Sequence, residues 1–199
     1  MRQGAMWLSR AFHPFIVSVV TLWLAMILGG HWWLESTLWT LLSFAIVILP
    51  SLIFILARVR SGRYQDIDVS IRKDRYTLYA PGGSCLVLTI VLLAFLQTPA
   101  IAQRTLQAGF LSVLVGSVFN RFVNKLGLHV LTVAGCAVVL YFVSPLAGIV
   151  LGLASLLVAW SRTHLTRHTV PEVIWGWVVG VGCTLFWLLV SRQFYITPV

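Results

Sequence analysis

Seven apolar stretches, at roughly 13–31, 38–57, 82–101, 104–122, 127–144, 145–161 and 170–190, take up most of this 199-residue chain. Short islands of charge separate them. A membrane-crossing helix needs about 20 apolar residues, so the pattern predicts an all-α integral membrane protein, a polytopic bundle of six to seven transmembrane helices. Only 10% of the residues are charged, against about 25% in a water-soluble domain. Disordered, collagenous and ordinary soluble classes are thereby excluded, and residues 1–199 read as one transmembrane domain. The stretch 129–160 is nearly unbroken. As one helix its 32 residues would rise ~48 Å, beyond a hydrocarbon core of ~30 Å. Ser144-Pro145 supplies a break, which predicts a tight hairpin of two short helices. Trp32, Trp33 and Trp39 cluster at the first turnaround, as interfacial aromatics do.

The charge islands are Arg58 to Arg75, then Arg121, Lys125 and His129, then Arg162 to Glu172. Two spans separate each island from the next. An even number of crossings returns the chain to the same side, so all three islands face one leaflet. That face, with the N-terminal segment, holds 12 of the 14 Lys and Arg residues; Arg104 and Arg192 lie opposite. The positive-inside rule then places the islands in the cytoplasm. The net charge of +9 points to anionic lipid headgroups or phosphate as partners, and no soluble module is left to bind nucleic acid. Cys85, Cys136 and Cys183 lie in apolar stretches without metal-ligand spacing and read as free thiols. Arg2 and Arg10 before an apolar run resemble a signal peptide only loosely, because Gly29-Gly30-His31-Trp32 is not a cleavage site; a retained first helix is expected.

The third island, Ser161-Arg162, five residues, His168, three residues, Glu172, has the spacing of the third signature of the type 2 phosphatidic acid phosphatase superfamily. The chain resembles that superfamily best over 120–190. In the second signature, Leu126-Gly127-Leu128-His129 stands where the family usually has Pro-Ser-Gly-His. In the first, Lys73, six residues and Ala80-Pro81 keep the spacing but lose the arginine, which Arg72 or Arg75 would replace. Glu172 stands where the family has Asp. The resemblance is to a divergent prokaryotic branch. It implies that His168 attacks phosphorus to form a phosphohistidine, that Glu172 orients it, and that His129 serves the leaving group. Arg162, Lys125, Arg72, Lys73 and Arg75 would bind the phosphoryl oxygens. The substrate implied is a lipid phosphate or an isoprenyl diphosphate; no metal or other cofactor is implied.

Residue chemistry points the same way. A phosphate dianion needs several fixed cations, and guanidinium offers paired donors. A nucleophilic imidazole needs an acceptor on its other N–H, and His168 and Glu172 at four residues apart share a helical face. Plainer roles are also open. Thr169-Val170-Pro171-Glu172 matches a capping box, which does not exclude a second role for Glu172. Arg58, Arg60 and Arg63 read as topology determinants, His13, His31 and His164 as interfacial bystanders, and Asp66 and Asp68 as counter-charges to neighbouring arginines in a surface loop. Gly148-x-x-x-Gly152 and Gly176-x-x-x-Gly180 read as helix contacts. The rival functions are a catalytically degenerate binder of anionic lipid or scaffold, a carrier of phosphorylated lipid, and a haem protein. The carrier would need ionisable groups deep in the spans.

Overall fold

Each apolar stretch forms a helix in the computed structural model, which describes residues 2–69 and 71–191. Arg192 lies outside them. In order, the helices are α1 (Arg2–Ala11), α2 (Pro14–Leu28), α3 (Trp33–Ser43), α4 (Leu49–Arg60), α5 (Arg72–Phe95), α6 (Ala100–Phe122), α7 (Leu128–Val143), α8 (Pro145–His164) and α9 (Val170–Val190). A π-helical turn, Phe44–Ile48, joins α3 to α4, making one 28-residue rod from Trp33 to Arg60. No strand occurs among the described residues.

Four helices are long and apolar enough to cross a membrane: Trp33–Arg60, α5, α8 and α9. A fifth candidate results if α1 and α2, bent by 48°, count as one. The other two stretches fall short for different reasons. α6 has the length, but Gln103, Arg104 and Gln107 dilute its first turns. α7 has only 16 residues. Its ends are those the sequence predicts: Ser144 closes α7 and caps α8, with Pro145 in the first turn, where a missing N–H costs nothing.

α7 is the axis of the bundle, packed against α2, α6, α8 and α9. Small residues let it approach its neighbours. Gly148 of α8 lies directly against the Tyr141 backbone, and Gly180 of α9 directly against the Leu131 carbonyl. A Cβ on Gly176 would sit 2.7 Å from the Gly127 carbonyl, so α9 seats its first turns on the start of α7 only because glycine is there. Val130, Val133, Val158, Val173 and Val17 close the core just behind these starts. The result places the start of α7, the end of α8, the start of α9 and the loop before α5 at one end of the bundle.

Candidate active site

His168 ends the short connection from α8 to α9. Its backbone N–H and that of Arg167 fold back onto the Arg162 carbonyl, at 3.3 and 3.1 Å. Thr166 turns the chain there with φ of 53°, a left-handed conformation that a β-branched residue resists. The imidazole is buried, and its Nδ1 lies 2.7 Å from Glu172 Oε2. The same oxygen accepts the Thr169 N–H at 3.4 Å, completing a capping box. Glu172 thus caps α9 and holds His168 with one atom. With Nδ1–H donated to the carboxylate, Nε2 keeps its lone pair. Burial, followed by Lys125, Arg75, Arg162 and His129, pushes His168 down to about 2, so the ring is neutral at physiological pH.

Arg162, one turn from the end of α8, is buried. Its Nη1 donates to Ser9 Oγ of α1 at 2.7 Å and to Asp68 Oδ2 at 2.9 Å. Its Nε makes no hydrogen bond. Asp68 faces two imidazoles with its other oxygen: Oδ1 is 3.8 Å from His13 Nε2 and 3.9 Å from His129 Nε2. The two rings meet edge to face with centroids 5.4 Å apart. Burial raises the Asp68 carboxyl, but His129, Arg162 and His13 together outweigh it and hold the group below the usual carboxylate range.

His129 opens α7 and is 4% exposed, and its Nε2 has no hydrogen-bond partner. Lys125 reaches across with Nζ 3.1 Å from the Arg167 carbonyl, and burial, then Arg75, lowers its ammonium below the ordinary lysine value. Arg75 is buried and spent on backbone, donating from Nε to the Val69 carbonyl at 2.9 Å and from Nη1 to the Leu126 carbonyl at 2.6 Å. It ties the first island to the second while leaving its charge beside His168.

The three islands therefore do meet, and His168, Glu172, Arg162, His129, Lys125 and Arg75 are brought together. Arg72 and Lys73 are not positioned as expected. Arg72 caps α6, its Nε 2.7 Å from the Asn120 carbonyl and Nη2 3.2 Å from that of Arg121, where the helix end attracts a cation. Lys73 is exposed and has no hydrogen bond or ion pair among the described residues.

Sequence reasoning missed Ser9, His13 and Asp68. Asp68 pairs not with a neighbouring arginine but with one 94 residues away, and Asp66 with Arg167 at 3.4 Å, 101 residues away. His13 is no bystander: it caps α2 through Nδ1, which accepts the Phe15 N–H at 3.3 Å. The crossing count that puts the N-terminal segment on the island side was the available signal. His164, by contrast, simply stacks on Trp160, at 5.1 Å and 14°.

His13, Asp68 and His129 present ligand atoms within 4.8 Å of one another, a spacing that admits a metal ion. The chemistry of the set favours a proton instead. His13 Nδ1 accepts an N–H, so a neutral ring carries its hydrogen on Nε2, facing Asp68. Arg162 already neutralises the carboxylate. A dication would also sit beside that guanidinium.

No family model, curated protein or solved structure matches this chain.

Proposed function

We propose that this protein is a multi-pass membrane phosphatase of six to seven spans that hydrolyses a lipid phosphate or diphosphate at the headgroup level, without a metal, through a phosphohistidine. α6 and the short α7 would cross within the bundle, where neighbours cover what is too polar or too short for lipid. The positive-inside rule puts the site on the cytoplasmic side. The observation that carries the reading is the neutral His168 held by Glu172 at 2.7 Å amid Lys125, Arg75 and Arg162. A neutral, oriented imidazole is a nucleophile, and the cations are what a phosphoryl group needs.

In this scheme His168 Nε2 attacks phosphorus and the bond from phosphorus to the lipid oxygen breaks. That oxygen takes a proton that enters with the substrate, bound as its monoanion, and passes through the neutral His129 ring. Water then returns a proton to His129 as its oxygen attacks phosphorus; the P–N bond breaks, and phosphate leaves. Glu172 stabilises the His168 imidazolium character that develops. Asp68 does the same for His129.

A second reading is favoured by one feature: Arg162 and Arg75 already have partners, as in a protein that binds anionic lipid without turnover. Phosphate release by purified protein in detergent, with EDTA present, separates the two. Hydrolysis that His168→Ala abolishes supports the enzyme. Phosphatidate binding without release, unaffected by His129→Ala, supports the binder.

A further inference from the structure

A cavity of about 300 Å³ runs from the candidate site into the bundle. His13, Asp68, Tyr79 and His129 form its polar end. The rest is apolar apart from single hydroxyls such as Thr40 and Ser112. His168, Arg162, Lys125 and Arg75 do not line it. The cavity and the cation cluster are thus two rooms that meet at His129 and Asp68. At the polar end His129 Nε2 has no hydrogen-bond partner, with Asp68 Oδ1 standing 3.9 Å off, and the His129 side chain is almost wholly buried; Tyr79 lies beside the Arg75 guanidinium. A buried polar atom left unpaired is costly, so His129 Nε2 is placed to meet an incoming group.

We infer that this cavity holds the chain of a single-chain lipid anion, an alkyl or isoprenyl phosphate, and discriminates against two-chain lipids. The inference rests on the phosphatase reading for the direction in which the chain leaves, while the cavity's apolar lining beside His129 and Asp68 supports it separately. Displacement at phosphorus is in line, so the leaving oxygen departs on the side opposite the nucleophile. With His168 attacking and His129 receiving, the lipid alcohol leaves toward His129, and the cavity opens on that side. Its size favours one chain: about 300 Å³ is at the small end of ligand cavities, which run to roughly 300–1,000 Å³. A single chain enters in part, with any remainder outside.

The exit for that remainder is lateral. A second recess on the outer surface shares His13, Phe15, Val19, Phe44, Ile48 and Ile67 with the cavity, so these side chains are the partition between cavity and exterior. Phe44 and Ile48 bound the π-helical turn, a feature frequent at functional sites. A chain would enter sideways between α2 and this turn.

The test is equilibrium binding to the full chain in detergent, read by intrinsic tryptophan fluorescence, with dodecyl phosphate, farnesyl phosphate, dioleoyl phosphatidate and glycerol phosphate as probes. Two plugged variants, Gly83→Leu and Gly109→Leu, grow side chains at cavity-lining positions where a Cβ meets nothing within 4 Å. Leu153→Trp, on the 60% exposed outer face of α8, is the control. Wild-type protein should bind both single-chain phosphates at least tenfold more tightly than the diacyl lipid. Either folded plug should lose that preference and keep glycerol phosphate binding, and the control should match wild type. Equal binding of one- and two-chain lipids, or a preference that survives both plugs, overturns the inference. A preference present without any phosphate release leaves the cavity assignment standing and removes the phosphatase. Release without the preference does the reverse.

Discussion

Arg162 Nη1 lies 2.9 Å from Asp68 Oδ2, joining the end of α8 to the loop before α5. The arginine is buried and the aspartate partly so, which makes the loss of either partner expensive. Asp68→Asn should lower unfolding stability by about 3 kcal/mol, because it strands a buried guanidinium. Arg162→Met with Asp68→Asn should recover part of that loss. Thermal unfolding in detergent, as a double-mutant cycle, checks both.

Glu172 performs two jobs that a conservative pair of variants separates. Glu172→Gln keeps an oxygen for the Thr169 N–H, so stability should change by less than about 1 kcal/mol. It loses the carboxylate beside His168, so phosphate release should fall about 10²–10⁴-fold. Glu172→Ala should lose the same activity and a further ~1 kcal/mol of cap energy. Equal activity in wild type and Glu172→Gln would remove Glu172 from the mechanism.

The neutral state of His168 has a pH signature. Its folded value, about 2, lies below the unfolded value of 6.5, so the unfolded chain binds the extra proton between these limits. Stability is fully present above pH 6.5 and declines as pH falls. Relative to pH 7, His168 alone should cost about 2 kcal/mol at pH 5. In His168→Gln the slope of unfolding midpoint against pH should flatten over this window; an unchanged slope would mean the ring is already charged.

Gly180 admits no side chain, since a Cβ would collide with the Leu131 carbonyl. Gly180→Val should cost about 2–3 kcal/mol through overpacking and push α9 off α7, parting His168 from His129. The unfolding midpoint and phosphate release should fall together.

Thr166 reports on strain instead. Relief of its left-handed φ of 53° in Thr166→Gly should stabilise the fold by about 1 kcal/mol, after the entropy lost to glycine. The looser turn would hold His168 less firmly, so activity should drop as stability rises. A variant both less stable and fully active would contradict this account.

Much of this architecture is legible in the sequence because bilayer chemistry writes it coarsely. Ser144-Pro145 marks the hairpin between α7 and α8, and the four-residue step from His168 to Glu172 fixes a contact that one helical turn enforces. Crossing parity foretells that the islands share one end. What parity cannot foretell is pairing. Asp68 had several arginines nearby in the chain, and only packing of α1 against α8 brings Ser9 and Arg162 to it. Arg72 and Arg75 look alike in sequence, yet one caps α6 and the other braces the Val69 and Leu126 carbonyls. Start positions were legible only where composition changes: α5 begins at Arg72, ten residues before its apolar stretch, since charged residues extend a helix as readily as apolar ones.

The brevity of α7 carries a last consequence. Sixteen residues rise about 24 Å, less than a typical hydrocarbon thickness. The four candidate spans are longer, 20 to 28 residues, and would meet the lipid at full length. α9 starts six residues ahead of the Gly176 that touches Gly127, so its first turns overhang the start of α7 and leave His129 buried inward of them. Under the proposed function a lipid phosphate would reach that imidazole only by entering among the helices, and the gaps between them, more than the thickness of the membrane, would govern turnover.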